Sequence, residues 1–301
     1  MKTVEKCNVS KKSKAGHFPV YLLGFLFLYG ISACINDNLD DCRIGYGSVR
    51  VSTNWTPRSE GIEIPQSYTL HTDKFVDSTL LTANEPVLLS YKFPHSMYFV
   101  CIHNKADGIT VNDKTVRVDT VDGWVKPNPG WFFSYSGYLL VADDSISLTA
   151  RMRQQLRLFT IELTPKGDAA ERLVSLNATL NGVASELNMD NEYVSGTAGA
   201  AFRLTAFPDK TWQASARLLG LTDGEQILTL TAGIRASSGD SLQVANKVNV
   251  SQLLIGFNVN KEYPITLKAN ILLNTDPNNP QNVILGISDM EVIYGTSIVA
   301  A

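Results

Sequence analysis

The side chains that could carry acid–base, metal or redox chemistry are sparse in this sequence and show no catalytic spacing. The 301 residues include four histidines, at His17, His71, His95 and His103. The sequence contains no His-x-x-x-His or Cys-x-x-Cys pair, no Gly-rich phosphate loop and no Gly-x-Ser-x-Gly motif. We therefore expect the histidines beyond the N-terminal segment to be ordinary strand or loop residues, and we predict no enzyme activity, no metal and no cofactor.

A short motif around Ser241 could supply a nucleophilic serine. Gly239-Asp-Ser-Leu242 matches the signature of a lipase and esterase family, whose serine needs a histidine base further along the chain. No histidine follows His103, and the surrounding residues favour a β-turn over the strand-to-helix turn that such a serine needs. We therefore reject this motif as a catalytic site. The adjacent carboxylates Asp143 and Asp144 lie at a turn, where solvation explains them.

One cysteine stands in a context with defined covalent chemistry. A lysine-rich start is followed by an uncharged apolar run from Phe18 to Ala33, which is short for a transmembrane helix of roughly 20 residues. The run ends in Ile31-Ser-Ala-Cys34, which resembles the lipobox of bacterial lipoproteins, where the cysteine thiol is the nucleophile that accepts a diacylglyceryl group. We predict a signal peptide over 1–33 and lipidation at Cys34; an ordinary cleaved signal or an uncleaved anchor is the alternative.

The residues behind Cys34 are polar and acidic. Ile35-Asn-Asp-Asn-Leu-Asp-Asp41 resembles the export tag of surface lipoproteins in the Bacteroidetes, although any lipoprotein needs a solvated tether here. We assign 34–45 to an acidic tether and expect a lipid-anchored, cell-surface location at the outer membrane. Residues 1–33 contain five lysines and one glutamate, so their removal moves the formal net charge from −3 to about −7. A chain this acidic is a poor ligand for nucleic acid.

Two cysteines remain after processing. Cys7 leaves with the signal and Cys34 is lipidated, which leaves Cys42 and Cys101. An oxidising envelope would permit a disulfide between them. However, Cys101 lies within 97–103, which has the pattern of a buried strand, whereas Cys42 lies in the tether. A small buried thiol is the alternative for Cys101, and the sequence leaves the pairing open.

Alternation of apolar and polar residues dominates the mature chain and predicts half-buried β-strands. Apolar side chains share one face in five segments, which are Val49, Val51, Thr53 and Trp55; Val174, Leu176, Ala178 and Leu180; Trp212, Ala214, Ala216 and Leu218; Leu228, Leu230, Ala232 and Ile234; and Ile265, Leu267, Ala269 and Ile271. Turn dipeptides separate them, and only short helical turns are indicated, near 168–171 and 250–254. We predict an all-β, sandwich-type protein, with domains over 46–144 and 145–301.

Several of these segments carry a family likeness. Met152-Arg-Gln-Gln-Leu-Arg157 opens an Arg- and Gln-rich strand, and the amphipathic strand that begins at Arg172 ends in Asn181-Gly-Val-Ala184. Val49-Arg-Val-Ser-Thr-Asn-Trp55 is followed by Glu63-Ile-Pro-Gln-Ser-Tyr-Thr-Leu70. These patterns resemble fimbrillin-related lipoproteins of the Bacteroidales, including fimbrium anchor subunits. The resemblance implies two transthyretin-like β-sandwich domains in tandem, and a place in or at the base of a surface fimbria (pilus).

The same resemblance implies assembly by β-strand addition, in which an extended segment of a neighbour completes a sheet edge. In this superfamily, polymerising subunits are trimmed after their first strand by an arginine-directed protease; the candidate positions here are Arg43, Arg50 and Arg58. An anchor keeps its lipid and escapes trimming. The C-terminal segment 283–293 could be a donor strand, and the simpler alternative is the last strand of the second domain.

Two further features could serve binding or modification. Trp124, Trp131, Phe132 and Phe133 cluster in a Pro- and Gly-containing loop, where they would form a platform for a sugar or protein partner if exposed, or cap the first domain's core if buried. Asp-Ser/Thr-aliphatic triplets resemble the acceptor of Bacteroidetes O-glycosylation and place candidate acceptors at Ser78, Thr120, Ser145 and Ser241.

These features favour a structural function. The first hypothesis is a fimbrial anchor or accessory subunit that supports adhesion. Its partners would be other fimbrial subunits, and the lipid at Cys34 would attach it to the outer membrane. The alternative is a non-polymerising surface lipoprotein that binds a glycan or a host protein through the aromatic loop. The sequence does not decide between anchor, stalk and tip roles.

Overall fold

A computed structural model describes residues 45–72, 79–82, 85–235, 241–276 and 279–295. The predicted signal peptide, Cys34 and the tether up to residue 44 lie outside these ranges. The regular secondary structure of the described residues is β-strand, apart from one short helix, α1 (Ala169–Arg172). They confirm the predicted all-β, sandwich-type fold.

The described strands are numbered in chain order. The first twelve are β1 (Tyr46–Asn54), β2 (Ser67–Thr72), β3 (Thr79–Thr82), β4 (Val87–Pro94), β5 (Ser96–His103), β6 (Ile109–Asn112), β7 (Thr115–Val118), β8 (Thr120–Val121), β9 (Trp124–Val125), β10 (Phe133–Val141), β11 (Ser145–Arg151) and β12 (Arg153–Gln154). The others are β13 (Arg157–Pro165), β14 (Leu173–Val183), β15 (Glu186–Asn188), β16 (Val194–Ser195), β17 (Ala198–Arg203), β18 (Thr205–Ala206), β19 (Trp212–Leu218), β20 (Ile227–Arg235), β21 (Ser241–Asn249), β22 (Ile265–Asp276) and β23 (Asn279–Tyr294).

Two sheets enclose the first hydrophobic core and form what we call the N-terminal sandwich. The smaller sheet has the order β11-β1-β4, and the larger has the order β12-β10-β5-β2-β3. Their inward side chains include Val49 and Val51 from β1, Tyr68 from β2, and Val100 and Ile102 from β5, all of them buried. Alternate residues of each strand therefore fill one continuous core between the sheets.

Two larger sheets enclose the second core and form the C-terminal sandwich. One has the order β18-β19-β13-β22-β23, and the other has the order β21-β20-β14-β17-β9-β8. The alternation in β20 and β22 is as predicted, since the side chains at the expected positions are buried, namely Leu228, Leu230, Ala232, Ile234, Ile265, Leu267, Ala269 and Ile271. The apolar face of each strand is thus directed into this core.

Val174 is an exception to the predicted alternation in β14. Leu176, Ala178 and Leu180 are buried as expected, but Val174 is exposed. The pairing of β14 with β20 shifts register between Leu173 and Ser175. Because a bulge adds one residue to one strand, the side chains beyond it change faces, and Val174 turns outward.

The two sandwiches exchange strands, so the change between them does not fall at the predicted boundary after Asp144. β11 begins directly after that position and pairs in parallel with β1, and β12 pairs with β10. In the other direction, β7 pairs with β15, and β9 pairs with β17. A turn signal such as Asp143-Asp144 marks a chain reversal, which here lies inside one sandwich. By pairing, the change falls between β12 and β13.

Buried polar side chains hold the junction between the sandwiches. The Gln154 carboxamide accepts hydrogen bonds from the backbone N and Oγ of Ser59, at 2.8 and 3.1 Å, and donates to the carbonyls of Leu156 and Lys261, at 2.7 and 3.0 Å. Ser59 Oγ also lies 2.7 Å from the Glu262 carbonyl. Since Ser59 belongs to the N-terminal sandwich and 261–262 to the C-terminal one, this network joins the two.

Arg157 of β13 holds the loop that forms the C-terminal sandwich's side of this junction. It is only 1% exposed and occupies an inward position of the strand, in line with Phe159 and Ile161. Its guanidinium donates to the carbonyls of Phe257, at 2.5 Å, and Val259, at 2.7 Å, and also to that of Asn260. A loop whose carbonyls would otherwise be buried without donors is thereby fastened to the core.

Arg157→Ala should destabilise the protein strongly. It leaves the carbonyls of Phe257, Val259 and Asn260 without their donor, and we expect the free energy of unfolding to fall by about 3 kcal/mol or more in urea denaturation. Arg153→Ala is the matched control, because Arg153 is an exposed arginine whose ion pair should contribute at most about 1 kcal/mol. Equal losses in the two variants would contradict this role for Arg157.

Candidate functional site

The aromatic run was expected to form a binding platform if exposed or to cap a core if buried, and its two phenylalanines are buried, one in each core. Phe132 and Phe133 are both 0% exposed. Phe132 lies in the core of the C-terminal sandwich and Phe133 in that of the N-terminal one, where its ring meets Trp55 edge-on at 5.5 Å. Successive side chains of an extended segment point to opposite sides, so adjacent phenylalanines can enter two different cores. Neither can take part in a surface platform.

Trp131 is half-buried, and one face of its indole is already occupied. The guanidinium carbon of Arg217 lies 4.7 Å from the ring centroid, in a cation–π contact. Arg217 is held there because its Nη1 donates to the Pro129 carbonyl at 2.7 Å. The Trp131 carbonyl in turn accepts from Asn104 Nδ2 at 2.9 Å. Trp131 is therefore a packed residue at the junction.

Trp124 alone of the predicted platform is substantially exposed, at 39%. It sits on a two-residue hairpin between β8 and β9, where Asp122 and Gly123 both have positive φ, of 51° and 80°. This is the geometry of a type I′ turn, which Asp-Gly favours. The indole lies against Gly199 of β17, where an added Cβ would come within 2.4 Å of a ring carbon. Trp124 is thus held in place by a neighbouring backbone.

Two histidines that were expected to be ordinary strand residues form a pair. His71 on β2 and His103 on β5 have their Nε2 atoms 3.1 Å apart, and His103 Nδ1 lies 3.1 Å from the Asn104 carbonyl. A carbonyl only accepts, so His103 carries its proton on Nδ1, and its Nε2 accepts from the Nε2–H of His71. Burial lowers the pKa of both rings, and for His71 the nearby Asp113 partly opposes this.

Cys101 is a buried free thiol, and Cys42, with which a disulfide was left open, lies outside the described residues. Its Sγ lies 3.5 Å from Met189 Sδ. Burial raises the pKa of the Cys101 thiol to about 12, so it stays protonated and is a poor nucleophile. Within the described ranges, no cluster of three or more histidine, cysteine, aspartate or glutamate side chains could hold a metal ion.

The candidate glycosylation acceptors are accessible where the structure describes them. Thr120 lies in β8, Ser145 begins β11 and Ser241 begins β21, and all three are exposed. Ser78 lies outside the described residues. Their modification stays a prediction. Ser241 begins a strand, which is not the strand-to-helix position that a nucleophilic serine of its motif would need.

The first strand occupies a central position. β1 pairs in parallel with β11 on one side and antiparallel with β4 on the other, and its Val49 and Val51 are 0% exposed. Of the candidate trimming positions, Arg50 points outward from the middle of β1. Arg58 follows the strand and donates to the carbonyls of Trp55 and Ile62, at 2.7 and 3.0 Å. Arg43 lies outside the described residues.

The last strand is part of its own sandwich. β23 contains the segment that was predicted as either a donor or an ordinary last strand, and it pairs antiparallel with β22 at the edge of the sheet. Asn246 of β21 donates from Nδ2 to the Leu285 carbonyl at 2.6 Å, across to the opposite sheet. In this structure the segment is therefore the last strand of the second domain, which was the simpler of the two predicted roles.

A cleft at the junction was not predicted. It has a volume of about 300 Å³, and its lining includes Arg151, Arg153, Glu192 and the buried Lys261. Lys261 is 110 positions from Arg151 and 69 from Glu192 in the chain, so the sequence could not indicate their proximity. One sequence feature could have pointed to this cleft. The segment 151–157 is rich in Arg and Gln and has too many polar residues for a buried strand.

These features define a tandem β-sandwich protein. No protein-family model matches the chain, and no curated protein does either. Within the described ranges, no helix is long and apolar enough to cross a membrane.

Solved structures share the fold. A candidate adhesin from Bacteroides ovatus is 12% identical, with a TM-score of 0.52 over 81% of this chain and 93% of that one. The fimbrial anchor protein Mfa2 from Porphyromonas gingivalis is 12% identical, with a TM-score of 0.51 over 84% of this chain and 100% of its own. A candidate adhesin from Bacteroides thetaiotaomicron is 11% identical, with a TM-score of 0.50 over 83% and 98%. At these identities the likeness is one of fold.

Gly199→Ala should displace Trp124. The new Cβ would overlap the indole, so we expect the ring to move toward solvent, with a red-shifted tryptophan emission and a loss of about 1–3 kcal/mol in unfolding free energy. Gly224→Ala is the control, since a Cβ there meets nothing closer than 3.9 Å. An unchanged emission spectrum in the Gly199 variant would show that the indole does not rest on this glycine.

The histidine pair should make stability depend on pH. Both rings have a lowered pKa in the folded state, so below about pH 6.5 the unfolded chain binds protons that the folded chain does not. We expect the free energy of unfolding to fall as the pH drops from 7 to 5, and to fall less steeply in His103→Gln. If the unmodified protein and the His103→Gln variant have the same slope, the pair does not contribute.

Proposed function

We propose that this protein is a cell-surface lipoprotein that acts as a fimbrial anchor or accessory subunit, assembles by β-strand addition and supports adhesion. The observation that carries the proposal is the central place of β1 in the smaller sheet of the N-terminal sandwich. The fold shared with the fimbrial anchor protein Mfa2 and with candidate adhesins supports it. The lipobox at Cys34 supports the anchored location.

The position of β1 determines whether the N-terminal sandwich is open or closed. Within the described residues, the ladders of β11 and β4 in this sheet are both made with β1. Removal of β1 would leave a groove lined by two rows of unpaired backbone groups, one on β11 and one on β4. It would also leave an empty space in the core where the side chains of Val49 and Val51 had been. An extended strand from a neighbour could occupy it, gaining ladder hydrogen bonds and burying alternate side chains.

A chain that keeps β1 is closed at this groove. It therefore accepts no donor strand there, which suits a subunit at the end of a fimbria or beside it better than one inside the stalk. The same retention keeps the chain joined to Cys34.

The alternative role, in which a non-polymerising surface lipoprotein binds a glycan or a host protein on an aromatic platform, has less support. Two of its four aromatic residues, Phe132 and Phe133, are enclosed in the cores, and Trp131 is covered by Arg217. In both roles we propose a binding or structural protein and not an enzyme.

Cys34→Ala should detach fimbriae from the cell. Without the acceptor thiol there is no lipid to hold the chain, so we expect fimbriae in the culture medium in place of the cell surface, measured by electron microscopy and by immunoblots of the medium and cell fractions. Cys42→Ala is the matched control, because it removes the other thiol of the tether and leaves the lipid.

Fimbriae that stay attached in the Cys34 variant would mean that the lipid is not what holds them. Deletion of the whole chain tests the broader role. Fimbriae of unchanged number, length and attachment in the deletion strain would overturn the proposed function, whichever subunit type is considered.

A further inference from the structure

The cleft at the junction between the sandwiches has the features of a ligand site. Its volume of about 300 Å³ is at the lower end of the range for small-molecule sites, ~300–1,000 Å³. Charged and amide side chains line most of it. Arg151 and Arg153 approach from the N-terminal sandwich, and Asn258, Asn260 and Lys261 from the loop before β22.

Lys261 is a buried cation in this lining without a partner. Its side chain is 6% exposed. Within the described residues, its ammonium group makes no hydrogen bond, and none of the ion pairs includes it. Lys261 Nζ is not one of the fully enclosed side-chain atoms that lack a hydrogen bond, so the ammonium reaches solvent at the cleft, where a ligand anion could become its counter-charge.

The neighbouring carboxylates make no ion pair with Lys261 within the described residues. Glu192 is already paired with Arg153, with 2.5 Å between Oε1 and Nη1. Glu262 also lines the cleft but is not in ion-pair contact with Lys261. Arg157 lies behind the cleft and adds positive charge, while Arg151 has no ion pair within the described ranges. Burial is the dominant influence and lowers the pKa of Lys261 to about 8, with Glu192 opposing and Arg157 reinforcing it.

We propose that this cleft binds the carboxylate of an acidic sugar, such as a uronic or sialic acid unit, with Lys261 as the cation that receives it. Arg151 also lines the cleft and adds a second cation. The carboxamide of Asn260, an exposed residue of the lining, can offer a donor and an acceptor to sugar hydroxyls. The carboxamide of Asn258 is already bonded to the backbone N and carbonyl of Leu221, at 2.9 and 2.8 Å. The site would give the protein a small-ligand specificity that its fold does not imply.

The lining favours a sugar over an acidic peptide. A peptide segment would bring apolar side chains that need apolar surface, and Pro57 and Val259 are the aliphatic side chains that the cleft offers. A single sugar unit matches both the small volume and the density of polar groups. The inference does not rest on the fimbrial role, because it concerns the junction cleft and not β1 or Cys34.

Lys261→Met tests the proposal directly. Methionine keeps an unbranched side chain and removes the buried charge, so the variant should be at least as stable as the unmodified chain, as thermal unfolding would show. We expect glucuronic acid and N-acetylneuraminic acid to bind the unmodified chain in calorimetric or saturation-transfer titrations, with glucose much weaker. Lys261→Met should reduce the association constant for both acids roughly tenfold or more, and Lys247→Met, an exposed lysine on β21, should not.

The pH dependence gives a second readout that a purely structural lysine would not produce. Between pH 7 and 9.5 the free protein loses the proton of Lys261, so affinity for the acids should fall roughly tenfold or more over this interval, and the Lys261→Met variant should lack this fall. The proposal is overturned if neither acid binds, if glucose binds equally well, or if Lys261→Met binds as tightly as the unmodified chain. Binding of a glutamate-containing tripeptide in place of the sugars would likewise overturn it.

Discussion

The fold depends on polar side chains that are buried where the two sandwiches meet. Gln154 is hydrogen-bonded on both sides of its carboxamide, and Arg157 satisfies three loop carbonyls. Apolar packing alone would allow the sandwiches to slide, because it is not directional. These hydrogen bonds are directional, so a displacement of one sandwich against the other would break them and leave more buried groups unpaired than Arg157 Nε, which has no partner here. The junction therefore sets the relative position of the two cores.

The same constraint explains why the chain crosses between the sandwiches more than once. Phe132 and Phe133 enter different cores from adjacent positions, and β7 and β9 pair with strands of the C-terminal sandwich. Each crossing adds backbone hydrogen bonds to the junction. The cleft lies beside these contacts, since Gln154 and Lys261 are part of its lining. Lys261 lies there because its backbone carbonyl is one of the acceptors of Gln154.

The sequence predicted what depends on neighbouring residues. The alternation from Leu228 to Ile234 gave the correct buried face, whereas Val174 was misassigned because a bulge in pairing leaves no mark in a period of two. Arg157 stands in phase with Phe159 and Ile161, so its inward direction could be read from the pattern. Its role could not, because its acceptors are about one hundred residues away. The pairing of His71 with His103 and the cleft around Lys261 are likewise long-range contacts, for which spacing carries no information.

Under the proposed function, β1 couples the lipid to the assembly state. It is paired on both sides, and burial of its two valines together stabilises the fold by about 3–6 kcal/mol. A pull on the tether must therefore break two strand pairings and expose a core before the chain is released. Cleavage after Arg58 would remove the lipid and β1 in one step, leaving a subunit that is both unanchored and open to a donor strand. Retention gives the opposite pair of properties. One strand therefore controls both the lipid anchor and the groove. Cleavage at Arg58 cannot produce an anchored subunit with an open groove, and it cannot produce a released subunit with a closed groove.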